Sequence, residues 1–128
     1  MPKIFKLGVI GNPIEHSLSP FIHSRFARNE GLNLDYKAYR VEQGAFDGFI
    51  SEFFSDKYAK GLNVTLPLKN LAATNINGNI SNEAKFINAV NTIIKKDKQF
   101  FLESTDGSGF IDDLHKKSIN PKGKRILI

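Results

Sequence analysis

The 128 residues contain no cysteine, no tryptophan and a single methionine. Without cysteine there is no disulfide, thiolate zinc site, iron–sulfur cluster or cysteine nucleophile. That composition fits a reducing compartment. Without tryptophan, aromatic burial falls to phenylalanine, of which there are 11. No apolar run approaches the ~20 residues that span a bilayer. The first residues lack the apolar stretch of a secretion signal. The chain therefore reads as soluble and cytoplasmic, with no membrane partner. Acidic residues are the minority, 13 against 18 Lys and Arg, for a net charge of +5. Such a balance raises nucleic acid as a partner. The densest basic cluster, however, is Lys116, Lys117, Lys122, Lys124 and Arg125, and no aromatic residue interleaves it as a stacking platform would. We read it as a solvated face, one that would also suit an anionic cofactor, and expect no nucleic-acid partner.

What is present is enough for one domain with a core, since 41% of the residues are hydrophobic. Ile4 to Ile10 is near-continuously apolar, the pattern of a strand covered on both faces, and Gly11-Asn12-Pro13 ends it. Ser19-Pro20 is a helix start, with Ser19 as N-cap and Pro20 at the first helical position. Phe21, Ile22, Arg25, Phe26 and Asn29 form a helical stripe that Gly31 closes. Leu34 to Val41 predicts a second strand. Ala45, Phe46, Phe49, Ile50, Phe53 and Phe54 recur at helical spacing with a wide apolar face. Gly61 to Thr65 is a third strand, and Pro67 to Thr74 a short helix or turn. Asn75 to Asn79 reads as a loop, and Ser81 can cap a helix running to Asn88. Val90–Lys96 and Gln99–Glu103 are two strands joined by Lys96-Asp97-Lys98, an antiparallel hairpin. A helix begins around Phe110, and Arg125 to Ile128 opens a further apolar strand. Alternating strands and helices with one hairpin predict an α/β fold on a mostly parallel mixed sheet. The first strand and the Phe-rich helix are candidate interface elements; the chain is expected to be a monomer or homodimer.

Four polar clusters sit where apolar elements break: Ser17/Ser19, Asn63/Thr65/Lys69, Asn91/Thr92 and Thr105/Asp106. Loops at strand ends of an α/β sheet converge in one cleft. Hydroxyls near a helix N-terminus can bind a carboxylate with help from the helix dipole. Asn and Thr can read ring hydroxyls, and a lysine beside an aspartate can move a proton at an alcohol oxygen. Together the clusters suit a small polyhydroxy acid. Each also has a plain structural role: Ser19 and Asp106 can cap helices, and Asn91 can sit in a turn. His16 is a rival acid/base by residue type, and its expected role is to set the loop carrying Ser17. No metal site is expected.

In order along the chain, Gly11-Asn12-Pro13-Ile14-Glu15-His16-Ser17-Leu18-Ser19-Pro20, Asn63-Val64-Thr65-Leu66-Pro67-Leu68-Lys69, Ala89-Val90-Asn91-Thr92 and Thr105-Asp106-Gly107 resemble the substrate-binding half of shikimate dehydrogenase. The resemblance implies a three-layer α/β domain, with helices on both faces of a mixed, mostly parallel sheet. It implies NADP-linked reduction of 3-dehydroshikimate to shikimate, on the route through chorismate to aromatic amino acids. Ser17 and Ser19 would hold the substrate carboxylate. Asn63, Thr65, Lys69, Asn91 and Asp106 would line the ring hydroxyls and the reacting oxygen, with Lys69 and Asp106 as the catalytic pair.

Residues 1–104 would form the substrate-binding domain, and 105–128 a linker helix and the first strand of a dinucleotide-binding domain. No G-x-G-x-x-G loop occurs within the 128 residues. The expectation is therefore a part of a longer enzyme, inactive alone, with NADP held by a domain this stretch does not contain. The family's returning C-terminal segment, which brings a glutamine to the ligand, has no counterpart here either. Ser104 and Asn70 stand where asparagine and glutamate are more usual; Ser104 still offers a hydroxyl. A quinate/shikimate dehydrogenase shares these motifs, and a non-catalytic module binding a small carboxylate is the alternative from another class.

Overall fold

The computed structural model describes residues 3–128. Six strands form one mixed sheet: β1 (Phe5–Gly11), β2 (Leu34–Arg40), β3 (Ala59–Val64), β4 (Asn79–Ile80), β5 (Thr92–Lys96) and β6 (Gln99–Glu103), in the order β2-β1-β3-β5-β6-β4. The β1–β2, β1–β3 and β4–β6 pairings are parallel; β3–β5 and β5–β6 are antiparallel. The helices are α1 (Ser19–Asn29), α2 (Phe46–Phe53, entered through a 3-10 turn at Gln43–Ala45), α3 (Lys69–Asn75), α4 (Asn82–Ile87) and α5 (Asp106–Lys116). This is the expected α/β arrangement, with helices on both faces of a mostly parallel mixed sheet.

Strand alternation divides the core. Ile10, Leu62, Val64, Ile93 and Leu102 join a large cluster with Phe46, Ile50 and Phe53 of α2, Leu68 and Ala72 at α3, and Ala84 of α4. Val9, Ile14 and Tyr36 form a smaller cluster, with α1 laid against β1 and β2. Phenylalanine supplies the aromatic packing: Phe53 meets Phe54 and Phe54 meets Phe100 edge-on, each at 5.0 Å between ring centroids. Burying each such ring is worth ~1.5–3 kcal/mol. The Phe-rich helix is thus committed to the core, and β1 lies between β2 and β3. β1 therefore has no free edge to serve as the interface element the sequence suggested.

Element ends follow local chemistry. Gly31, in the left-handed region at φ +66°, terminates α1, and Leu32 N–H returns to Ala27 O at 2.8 Å. Ser81 caps α4 by accepting from Ala84 N–H at 3.2 Å. Asp97 and Lys98, both at positive φ, turn the β5–β6 hairpin.

Five local expectations are corrected. Ser19 is the first residue of α1 rather than its cap; Leu18 occupies the cap without a side-chain bond. The Phe21/Ile22/Phe26 stripe faces outward, and Ala27 is the buried residue of α1. The two-residue strand β4, too short to carry a pattern, lies in what read as a loop. Helix α5 begins at Asp106, four residues before its first apolar position. Residues 125–128 form no strand, because none of the six strands pairs with them and an unpaired segment has no ladder to join.

Candidate functional site

The sheet register aligns Val9, Asn63, Thr92 and Glu103 in one row across four strands. The row lies at the C-terminal ends of β1, β3 and β6, and the sequence-predicted residues gather beside it. Two loops are stitched together there: Thr65 N–H donates to Ile10 O and Asn12 N–H to Leu66 O, each at 2.9 Å. Both loops carry a cis proline bond, Asn12–Pro13 and Leu66–Pro67.

At one end stands the N-terminus of α1. Ser17 Oγ accepts Ser19 N–H at 3.2 Å, and the first turn holds no acidic residue. The positive end of this 11-residue helix is therefore not neutralised by its own side chains. Ser17 and Ser19 line a depression of about 260 Å³ with Val9, Pro13, Ile14, His16 and Thr65. The loop is set by Ser17 N–H donating to Ile14 O (3.0 Å) and Ile14 N–H donating to Glu15 Oε2 (3.0 Å). Backbone donors at Glu15 and Ile14 hold the Glu15 carboxyl below its ordinary range. The backbone and Glu15 thus do the work expected of His16, which is exposed on the wall of the depression.

At the other end, Lys69 Nζ meets Asp106 Oδ2 at 2.5 Å. Lys69 opens α3 and Asp106 opens α5. Lys69 also lines a second depression, of about 420 Å³, with Thr65, Leu66, Pro67, Gln43, Asn70 and Ala89. Thr65 is thus the wall shared by the two depressions.

A run of hydrogen bonds leads from Tyr36 of β2 to Asp106. Tyr36 Oη donates to Asn63 Oδ1 (2.7 Å), and Asn63 Nδ2 reaches Thr92 Oγ1 (3.4 Å). Thr92 Oγ1 donates to Asn91 Oδ1 (2.9 Å), which also accepts Thr105 N–H (3.1 Å). Asn91 Nδ2 donates to Thr105 Oγ1 (2.9 Å) and Asp106 Oδ1 (3.1 Å). Asn91 has all four of its hydrogen-bonding positions filled by protein. It fixes the corner that presents Asp106, and a ligand would have to displace one of those bonds to reach it. Among the described residues, nothing takes up the second N–H or the second lone pair of the Asn63 amide.

Of the seven predicted site residues, Ser17, Ser19 and Thr65 line the first depression and Thr65 and Lys69 the second, while Asn63, Asn91 and Asp106 belong to the hydrogen-bonded run and the Lys69 ion pair. Tyr36 was not anticipated. It sits mid-strand, where its ring reads as core, and only its place on the Val9 face brings its hydroxyl to Asn63. Burial pushes its phenol up to about 12, with the Ser19 hydroxyl acting in the opposite direction. Among the described residues there is no cluster of His, Asp and Glu able to hold a metal ion. No helix there is long and apolar enough to cross a membrane.

Comparison with known proteins adds an independent line. Residues 9–93 match the family described as shikimate dehydrogenase substrate binding domain. A protein of Laribacter hongkongensis named shikimate dehydrogenase (NADP(+)) is 41% identical over 121 residues, covering 94% of this chain and 44% of the relative. A namesake from Xanthomonas euvesicatoria is 37% identical over 126 residues, covering 98% and 44%. The structure of shikimate 5-dehydrogenase from Thermus thermophilus in complex with shikimate superposes with a TM-score of 0.85 at 34% identity. That match covers 93% of this chain and 45% of the other. The chain therefore spans somewhat under half the length of the relatives it matches.

Proposed function

The chain belongs to the shikimate dehydrogenase family, within its substrate-binding domain, and on that premise we propose that it is the shikimate-binding part of an NADP-dependent shikimate dehydrogenase. The observation that carries the reading is a pair of depressions that share Thr65 as a wall, one holding two serines at a helix N-terminus without acidic residues in its first turn and the other holding Lys69, paired with Asp106. Ser17 and Ser19 hold the substrate carboxylate. Asn63 and Thr65 meet ring hydroxyls, and Asn91 joins them by exchanging one of its present partners.

The reaction is the reduction of the 3-dehydroshikimate ketone to the alcohol of shikimate, the hydride coming from reduced NADP when it is bound. The 128 residues contain no glycine-rich dinucleotide loop and do not fit as the cofactor's own site. In this proposal residues 1–104 are the substrate domain, and 105–128 lead into a cofactor-binding domain outside this stretch. This chain's residues handle the developing charge. Negative charge growing on the carbonyl oxygen meets the Lys69 ammonium, which stabilises it and delivers a proton. Asp106 orients the ammonium and accepts a substrate hydroxyl. The enzyme would be cytoplasmic and biosynthetic, on the route to chorismate and the aromatic amino acids.

Calorimetric titration of the purified chain tests the reading. Shikimate is expected to bind with one site, quinate more weakly, and an oligonucleotide not at all. Binding of the oligonucleotide but not of shikimate would overturn it.

A further inference from the structure

We propose that Asn77 is a site of spontaneous covalent modification, at which the backbone nitrogen of Gly78 attacks the Asn77 side chain, converts it to aspartate and isoaspartate, and so loosens the β4 edge of the sheet. Asn75, Asn77 and Asn79 alternate along one short stretch, and the structure separates them. Asn75 Nδ2 donates to Asp47 Oδ1 at 3.0 Å. Asn79 Nδ2 donates to Phe100 O at 3.3 Å. Each of these two is followed by an isoleucine, whose branched side chain crowds the approach of the next backbone nitrogen. Asn77 is exposed. Among the described residues its side chain has no hydrogen-bond partner, and neither has the Gly78 N–H. Asn77-Gly78 is also the only Asn-Gly pair in the sequence. Glycine brings no Cβ to obstruct the attack, and its backbone turns freely. Yet the fold holds glycine at this position: a Cβ on Gly78 would lie 2.7 Å from Phe100 O and 2.8 Å from Phe100 Cβ. The close approach of Gly78 to β6 thus keeps the vulnerable pair in place.

The chemistry needs only water. Gly78 N gives up its proton and attacks Asn77 Cγ. A carbon–nitrogen bond forms, the Cγ–Nδ2 bond breaks, and ammonia leaves with the proton, closing a five-membered succinimide. Water then opens either ring carbonyl. One opening yields aspartate. The other yields isoaspartate, whose main chain runs through the former side chain and is longer by a methylene. That product falls where the sheet has least to hold it. Strand β4 is two residues long and meets β6 through Asn79 and Ile80, followed by Ser81 N–H on Leu102 O at 2.9 Å. A lengthened backbone just before it shifts that register. β6 is then left as the edge of the sheet, with unpaired backbone groups open to another chain.

Ageing the purified chain at mildly alkaline pH, beside a peptide of the same local sequence, tests this. Intact mass should rise by about 1 Da as an amide becomes an acid. Peptide mapping should place the change at Asn77 before Asn75, Asn79 or any other asparagine, with isoaspartate among the products. Asn77→Ser should remove this first event. Conversion that begins at another asparagine, or a folded chain that stays intact while the peptide reacts, would overturn the proposal. The structural consequence has its own control. The aged chain should melt ~3–6 °C lower than the fresh one. Asn77→Asp, which adds the same charge to an unaltered backbone, should melt as wild type does. An aged chain with an unchanged melting temperature, or an equal drop in Asn77→Asp, would overturn the loosening of β4.

Discussion

Lys69 Nζ and Asp106 Oδ2, 37 positions apart in sequence, meet at 2.5 Å between the first turns of two helices. The pair is substantially solvated, with the Asp106 side chain 58% exposed. Such pairs contribute at most ~1 kcal/mol to stability. Lys69→Ala should therefore barely move the melting temperature. In the complete enzyme it should cut kcat by ~10²-fold or more, as loss of a positioned proton donor does, with less than a tenfold change in shikimate affinity. Melting curves beside steady-state kinetics check this. Equal losses in turnover and binding would make Lys69 an anchor rather than a proton donor.

Removing a hydroxyl at the helix end should act on the carboxylate alone. Ser17→Ala and Ser19→Ala should each weaken shikimate binding ~10–100-fold, the worth of a hydrogen bond to a charged group. The methyl ester of shikimate should bind the variants and wild type alike. Titration with acid and ester separates the two outcomes, and an equal loss for the ester would move the carboxylate elsewhere in the cleft.

The positions that could be read from the sequence are those where chemistry interrupts an apolar run. Asn63, Thr65 and Lys69 flank a strand end that Pro67 marks, so strand end and polar cluster announce each other. Asn91 and Asp106 were visible for the same reason, yet the saturation of Asn91 was not: it depends on Thr105 and Thr92 approaching from different elements. Tyr36 was hidden because a tyrosine in an alternating strand serves equally as core, and only the neighbour on β3 reveals the use of its hydroxyl. The orientation of α1 was hidden by composition. Phe21, Ile22 and Phe26 make the more apolar stripe, while the helix rests on the sheet through Ala27 and His23. Two glycines, Gly107 and Gly109, disguised the first turn of α5; the ties from Asn91 to Thr105 and Asp106 hold that turn in place.

Gly11 is a position where the site depends on a missing side chain. A Cβ there would collide with Thr65 Cγ2 and lie 2.9 Å from Leu66 O. Gly11→Ala should cost ~1–3 kcal/mol, as overpacking does. It should weaken shikimate binding beyond what the stability loss explains, because Thr65 separates the two depressions. Urea unfolding and calorimetry on the same preparation test it. A variant destabilised but binding normally would show that Thr65 does not need its present place.

The stacked rings of His23 and Tyr36, 4.5 Å apart between centroids, predict a loss of stability at both ends of the pH scale. Burial lowers the pKa of His23, so below its ordinary 6.5 the unfolded chain takes up a proton more readily than the folded one. Stability is then lost as pH falls from 6.5 through the folded value. Glu30 and Lys60, which share a groove with His23, oppose each other in sign. Tyr36 works in the other direction. Its phenol is raised to about 12 from 10.0, so its contribution is complete below pH 10 and is lost as pH climbs to about 12. Tyr39, also raised by burial, adds to the same alkaline slope. Urea unfolding across the two windows should show both declines. Tyr36→Phe should flatten part of the alkaline one and leave the acid one in place, and His23→Gln should do the reverse. An alkaline slope that Tyr36→Phe leaves unchanged would mean that the phenol is not shielded as the stack requires.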